Sequence, residues 1–69
     1  MHIKEIERCQ KIIKKTFPET TAKVWCLLKH YKNENNELVA EFKHTIKGIA
    51  QLKFVLGQWE IQHVFMRSE

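Results

Sequence analysis

The hydrophobic periodicity of this chain changes once, near residue 21, and that change limits the folds open to it. Before it, apolar residues recur at helical spacing over residues 3–17, so one face of a helix is apolar. These residues are Ile3, Ile6, Ile13 and Phe17. Pro18 ends the pattern because its ring removes the N–H donor that a helix needs. After it, apolar and polar residues alternate, which is typical of strands with one buried face.

Four alternating segments follow the helix, separated by short turns. The segments cover residues 22–32, 38–46, 50–56 and 59–66, and turn-forming residues lie between them at 33–36, 47–48 and 57–58. Links this short join antiparallel neighbours. We therefore predict an α+β fold over a single domain, residues 1–69. In it, an N-terminal amphipathic helix packs on a four-stranded antiparallel meander sheet (α-β-β-β-β).

The pairing through two of these turns predicts the core face of the sheet. A two-residue loop at 57–58 and a three-residue loop at 47–49 are mutually consistent, and both bring the same apolar residues to one face. These residues are Leu38, Ala40, Phe42, Ala50, Leu52, Phe54, Leu56, Trp59, Ile61 and Phe65. We expect the helix to lie across them.

The first strand is ambiguous because both of its faces are apolar. One side carries Val24, Cys26, Leu28 and His30, and the other carries Trp25, Leu27 and Tyr31. A slip of one residue exchanges the two sets. If the Asn-rich loop has four residues, the set that contains Trp25 joins the core.

In that register an apolar group remains on the sheet face that a single helix cannot cover. Its members, which we predict to bind a partner, are Val24, Cys26, Leu28, His30, Val39, Val55, Val64 and Met66. An outer sheet face is normally polar, and contiguous exposed apolar area usually marks a contact surface. We therefore expect a small protein-binding module, an adaptor or inhibitor of the kind that phages and mobile elements encode. It would bind another protein or a second copy of itself as a homodimer.

Nucleic-acid binding is the alternative interpretation. The net charge is +4 at pH 7, and Lys4, Arg8, Lys11 and Lys15 share one face of the predicted helix. With the slipped register, Trp25 or Tyr31 would be exposed on the sheet for base stacking. A strip of basic residues is also typical of an ordinary solvated helix face, so the charge pattern leaves both interpretations open.

The residues that could carry chemistry do not form a catalytic or metal-binding pattern. In the register above, His44 and His63 both flank Leu52 and lie about 9.5–10 Å apart, too far to share one zinc ion. No Ser, Cys or Thr has a predictable base beside it, and no Gly-rich phosphate loop is present. We predict no enzyme activity, no metal, no cofactor and no small-molecule substrate.

The length of the apolar runs and the number of cysteines indicate the cellular compartment of the protein. Every apolar run is far shorter than the ~20 residues of a membrane helix, and the first ten residues, MHIKEIERCQ, are charged throughout. Cys9 and Cys26 are expected to be reduced thiols. The sequence therefore predicts a protein of the cytoplasm, or of a host cytoplasm, with no membrane contact.

The predicted topology resembles that of two known groups. A helix followed by four meandering strands resembles the cystatin-type arrangement. The segment VLGQWEIQHVF is similar to the final strands of nuclear-transport-factor-like domains, where a Gly-x-Trp-x-Ile run is common. The Gln-x-Val-x-Gly protease-binding loop of cystatins is absent, so the resemblance implies a topology and no activity.

Overall fold

The computed structural model describes residues 1–66 and confirms the α+β meander. Helix α1 (Ile3–Thr16) leads through a 3-10 turn (Ala22–Val24) into four strands. The strands are β1 (Cys26–Lys32), β2 (Leu38–His44), β3 (Gly48–Val55) and β4 (Gln58–Met66). All neighbours are antiparallel, and the spatial order equals the chain order. β1 and β4 are therefore the two edges of the sheet.

Local chemistry sets both ends of α1. At the start, the Nδ1 atom of His2 accepts the backbone N–H of Lys4 at 3.1 Å, which satisfies a donor that the first helical turn leaves free. At the other end, Phe17 leaves helical geometry just before Pro18, as a residue preceding proline tends to do. Lys14 and Lys15 in the last turn complement the helix dipole.

The helix-side face is sealed around Trp25 at one end, which we call the closed end. Trp25 is fully buried, and its Nε1 donates to the Thr20 hydroxyl at 2.9 Å. Its ring stacks on Phe17, with centroids 5.5 Å apart, and lies 4.9 Å from the His44 ring. The Gln10 side chain donates to the Trp25 carbonyl at 2.8 Å. The indole N–H and the backbone carbonyl of this buried tryptophan therefore both have hydrogen-bond partners.

Two turns lie earlier than the sequence predicts, the first by two residues and the second by one. β2 and β3 are joined by residues 45–47, with Gly48 at φ 118°, and β3 and β4 are joined by Leu56 and Gly57. The His44 Nδ1 explains the first turn, because it accepts the backbone N–H groups of Ile46 and Lys47, both at 3.1 Å. Next to these turns the pairing partner of each residue changes by four positions in the first hairpin and by two in the second. An even change preserves which face each side chain occupies, so the prediction of core residues largely survives it.

Two β-bulges have a larger effect, because each adds one residue to a strand. In β1 the register shifts between Leu27 and Lys29, and in β4 it shifts between Ile61 and His63. A single extra residue exchanges the faces on its two sides. Leu27 therefore joins the core as predicted, whereas Tyr31 beyond the bulge does not.

Three members of the predicted core lie outside it. Tyr31 is paired with Val39 on the face away from the helix. Phe65 is paired with Ile49 on that same outer face and is 48% exposed. Leu56 occupies the β3–β4 turn and is 98% exposed. The two bulges displace Tyr31 and Phe65, and the earlier turn displaces Leu56.

Candidate functional site

The predicted partner-binding residues do not form one patch. Val24 lies in the 3-10 turn and Leu28 at the β1 bulge, and both are exposed. Cys26 faces outward opposite Lys43, and Val55 faces outward opposite Gln58. The first strand thus contributes isolated apolar side chains to the surface, not a continuous face.

The facing predicted for two other members of that set is wrong. Val64 is paired with Ala50 and packs against the core, because the bulge in β4 turns it to the helix side. His30 is paired with Ala40 and so also faces the helix side. Val39 does face outward, but it is only 2% exposed. The side chain of Met66 lies outside the part of the chain that the structure describes.

Polar groups occupy the centre of the outer sheet face. Glu41 is only 8% exposed, and its Oε2 accepts the Tyr31 hydroxyl at 3.0 Å and the Gln51 amide at 3.2 Å. The hydrogen bond to Glu41 raises the pKa of Tyr31 above its ordinary value, because ionisation would place two negative charges together. This network replaces the apolar interface that the sequence predicts there.

An ion pair continues this polar region toward the β1–β2 loop. The Lys53 ammonium lies 3.3 Å from the Glu37 carboxylate, which also accepts the Asn33 amide at 3.0 Å. The hydrogen bond from Asn33, followed by that from Lys53, lowers the pKa of Glu37.

A groove of about 530 Å³ crosses this face, and we call it the outer groove. Val39 forms its buried floor. Its lining residues are Tyr31, Asn33, Val39, Gln51, Lys53, Gln62, His63 and Phe65. The rings of His63 and Phe65 meet edge to face, with centroids 4.3 Å apart.

A second groove lies on the helix side, where α1 crosses the β3–β4 hairpin. We call it the hairpin groove, and its volume is about 330 Å³. Its lining residues are Glu5, Arg8, Lys11, Ile12, Phe54, Gly57, Gln58 and Trp59. Phe54 belongs to the helix-side face, yet it remains 37% exposed. The core is therefore open at this end of the sheet, which we call the open end.

Glu5 organises the wall of the hairpin groove. Its Oε2 accepts the Trp59 indole N–H at 2.8 Å, and its Oε1 pairs with Arg8 at 2.9 Å. Trp59 in turn packs edge to face on Phe54, with centroids 5.3 Å apart. On the far side of these residues, a smaller groove of about 280 Å³ reaches Met1, His30 and Leu38. Glu5, Phe54 and Trp59 line both grooves.

The hairpin tip beside this groove has an unusual backbone. Leu56 has φ 50° and Gly57 has φ 81°, the two positive values of a type I′ turn. Asn, Asp or Gly normally occupies the first of these positions, since a left-handed conformation costs other L-residues roughly 1–2 kcal/mol. A bulky apolar residue is therefore held there in a strained conformation, in full contact with solvent.

The residues predicted for nucleic-acid binding are divided between the two sides of the molecule. Lys4, Arg8, Lys11 and Lys15 are all exposed on α1, and two of them, Arg8 and Lys11, line the hairpin groove. Tyr31 lies across the sheet on the outer face. Trp25 is fully buried and cannot stack on a base, because it precedes the β1 bulge and keeps its place in the core.

Among residues 1–66, no group of three or more His, Cys, Asp or Glu side chains is arranged to hold a metal ion. Over the same residues, no helix has the length and apolar character needed to cross a membrane. Both cysteines are free thiols. Burial, aided by the nearby Glu5 carboxylate, raises the pKa of the Cys9 thiol to about 12, so this group is an unreactive part of the core.

No known protein family, curated protein or solved structure matches this chain.

Sequence reasoning missed the hairpin groove for a specific reason. The groove depends on the contact between Glu5 and Trp59, which are 54 positions apart, and periodicity carries no information about such a pair. The outer groove did leave a signal. Apolar residues of β4 that face the helix occur at Trp59, Ile61 and Val64, and the change from a spacing of two to three marks the bulge.

Proposed function

We propose that this chain is a non-enzymatic protein-binding module whose binding surface is the hairpin groove together with Leu56. The observation that carries the proposal is the open end of the core, where Phe54 stays 37% exposed at the base of a groove. An aromatic side chain in a concave, partly desolvated position is typical of an interface anchor point. A partner side chain that covers Phe54 would complete the burial that α1 leaves unfinished.

Charge favours a partner with acidic residues. Arg8 and Lys11 form the rim of the groove, and Lys4 and Lys15 extend the same exposed helix strip. Glu5 is the acidic residue of the lining, and it forms an ion pair with Arg8 and accepts the Trp59 indole N–H, so Lys11 carries the unbalanced positive charge of the lining. We infer an acidic protein segment that places one large apolar side chain over Phe54.

Leu56 adds a second contact beside the groove. Backbone strain at the surface has to be sustained by the rest of the fold, and such strain concentrates at functional positions. A fully exposed leucine at a strained hairpin tip contributes little to the fold, whereas it can enter an apolar pocket of a partner. Gly57, the other residue of the turn, and Gln58, the first residue of β4, line the hairpin groove, so one partner can contact both features.

Self-association through this groove is disfavoured by the same charges. A two-fold symmetric interface brings the same patch of each copy together, and here that would oppose Arg8 and Lys11 to their own copies. The homodimer therefore remains a secondary prediction. Light scattering over a hundredfold concentration range tests it, and a constant dimer mass would make a second copy the partner.

Selection from a random 12-residue peptide display library is the direct test of the proposal. We expect enriched peptides to combine Asp or Glu with Trp, Phe or Leu. Lys11→Glu should weaken their binding at least about tenfold, because it reverses a charge on the groove rim.

Lys15→Glu is the matched control. It makes the same charge change one helical turn away, on a residue that does not line the groove, and it should weaken binding much less. If both variants bind the selected peptides as well as the parent chain, the hairpin groove is not the binding surface. If the library yields no binder at all, the protein-binding function itself is rejected.

The setting that we propose for this function is the cytoplasm of the cell or of a host. Its support is the pair of free thiols, one of them, Cys26, exposed, which suits a reducing compartment. Reaction of the native protein with a thiol reagent immediately after extraction tests this. A Cys26 that is blocked by a disulfide would contradict it.

A further inference from the structure

The outer groove lies on the opposite side of the sheet from the hairpin groove and needs an occupant of different chemistry. Its volume, about 530 Å³, falls within the range of small-molecule sites. Val39 is 2% exposed although no helix covers it, so the side chains around it stand up as walls. This depression is built from the side chains of four adjacent strands.

Aromatic side chains stand on both walls. Tyr31 is on β1 and His63 and Phe65 are on β4, three strand spacings away, which is about 14 Å between backbones. Phe65 is 48% exposed, and its ring is held edge to face against His63. A four-stranded antiparallel sheet that presents aromatic side chains on its open face is suited to stacking unpaired bases.

Polar side chains between these walls match the edge of a base. Gln51 lies on the groove floor, next to His63 in the sheet register, and Gln62 is the extra residue of the β4 bulge and lines the rim. The Gln51 Nε2 already donates to Glu41 and to the Tyr31 hydroxyl, so Gln51 offers its Oε1 as an acceptor. The Gln62 amide and the His63 imidazole can donate to or accept from the hydrogen-bonding edge of an unpaired base. The bulge matters here, because without it His63 and Phe65 would face the core.

The charges on this face are compatible with binding a polyanion such as RNA, but phosphate contacts would contribute only a small part of the affinity. Lys29 and Lys43 face outward, with Lys29 lying 5.7 Å from the Tyr31 ring centroid, and Lys53 is paired with Glu37. Glu41 is nearly buried and accepts two hydrogen bonds, and Glu60 faces outward opposite Lys53. Two lysines, Lys29 and Lys43, are left for phosphate contacts.

We propose that the outer groove binds an unpaired nucleobase, stacked on the His63–Phe65 pair and hydrogen-bonded at its edge by Gln51 and Gln62. The base can come from single-stranded RNA or from a free nucleotide. Stacking and edge contacts dominate the affinity, and phosphate contacts add a smaller part. This site goes beyond the proposed protein-binding function and does not depend on it, since the two grooves lie on opposite sides of the sheet.

The test measures fluorescence anisotropy of labelled U8 and A8 RNA octamers with the full chain, and chemical-shift changes with UMP and AMP. Phe65→Ala should weaken binding about 5- to 150-fold, the range expected for the loss of one stacked base. Phe65→Tyr should retain binding, because it keeps an aromatic face. Leu28→Ala is the matched control, since Leu28 is also 48% exposed but lies outside the groove.

Salt dependence tests the balance of forces. Two phosphate contacts on a single strand give a slope of about −1.4 for the logarithm of affinity against the logarithm of salt concentration. This is about a sevenfold loss of RNA affinity from 50 to 200 mM salt.

Binding of UMP or AMP without RNA binding would assign the site to free nucleotides, and RNA binding alone would assign it to a strand. Absence of binding to all four probes overturns the proposal. So does RNA binding that Lys11→Glu abolishes and Phe65→Ala leaves unchanged, because the basic helix would then be the site.

Discussion

The two ends of the helix-covered face differ in how completely the chain seals its core. At the closed end, the Trp25 ring stacks on the partly buried Phe17 and lies against the His44 ring, and both Trp25 and His44 are buried. At the open end, Phe54 and Trp59 also meet in an aromatic pair, but Phe54 remains 37% exposed and grooves lie on both sides of it. The same kind of aromatic contact therefore closes one end and leaves the other accessible.

The difference comes from what lies above each pair. After α1, the chain turns at Pro18 and returns through the 3-10 turn, so that Thr20 and Trp25 cap the closed end. At the open end α1 borders the hairpin groove with Glu5, Arg8, Lys11 and Ile12. A hydrogen bond from the Trp59 indole to Glu5 links the sheet to the helix there. The chain has one α-helix and a sheet of four strands. Because the sheet is wider than the helix, the helix cannot cover the whole of one sheet face. We infer that stability resides at the closed end and recognition at the open end.

The largest expected effect tests the closed end directly. Trp25→Ala removes the largest fully buried side chain and should lower the free energy of unfolding by about 3–5 kcal/mol. Domains of this size commonly hold only a few kcal/mol, so the variant should be mostly unfolded at room temperature. Urea unfolding followed by far-ultraviolet circular dichroism measures the change. Trp25→Phe keeps the stacking on Phe17 and should lose much less.

Phe54→Ala is the matched change at the open end. It removes an aromatic side chain from the same sheet face, but one that is partly hydrated already, so we expect a loss of about 1–2 kcal/mol. The comparison fails if Phe54→Ala destabilises the protein as much as Trp25→Ala, because the two ends would then hold the fold equally.

Cys9, near the centre of the helix, is fully buried. Its pKa is about 12 in the folded chain against an ordinary 9.0, so the unfolded state loses this proton first as the pH rises. The contribution of Cys9 to stability is complete below pH 9 and is lost between pH 9 and pH 12. The expected slope is about 1.4 kcal/mol per pH unit, measured by urea unfolding at pH 8, 9.5 and 10.5.

Two variants isolate the contribution of Cys9. Cys9→Ala should be less stable at pH 8 but should lose the part of the alkaline slope that the thiol contributes. Cys26→Ala should keep the full slope, because Cys26 is exposed. An identical slope in the parent chain and in Cys9→Ala would mean that the thiol is hydrated in solution and that the covered core is less tightly closed than its packing indicates.

The sequence predicts the frame of this molecule well because the frame depends on local patterns. The 3.6-residue period places α1, the alternation places four strands, and Asn- and Gly-containing turns make a meander the expected connection. The two turns after β2 and β3 lie two residues and one residue earlier than predicted, and the pairing next to each changes by an even number of residues, which leaves the faces unchanged. The physical cause of one shift is the His44 side chain, which caps two backbone N–H groups of its turn and has no standard sequence signature.

The sites are harder to predict because they depend on single-residue events and on distant contacts. The bulges in β1 and β4 move Tyr31 and Phe65 to the outer face and Val64 to the core, and strict alternation contains no rule for such an insertion. The hairpin groove depends on how far α1 extends over the sheet. Leu56 was predicted to end a buried strand, and only the observed register places it in the turn.

The smallest expected effect, at Leu56, separates stability from recognition at the open end. Leu56→Asn replaces a bulky residue at φ 50° with one that tolerates left-handed geometry and favours type I′ turns. We expect the free energy of unfolding to rise by about 1 kcal/mol, measured by urea unfolding, because the leucine makes no buried contact that the change would remove. The same variant should weaken binding of the library-selected peptides, since it removes an apolar contact beside the hairpin groove.

A stabilised variant that binds those peptides as tightly as the parent chain would show that the strained leucine is not part of the binding surface. A destabilised variant would show that Leu56 supports the hairpin itself, and the strain would then need a structural explanation.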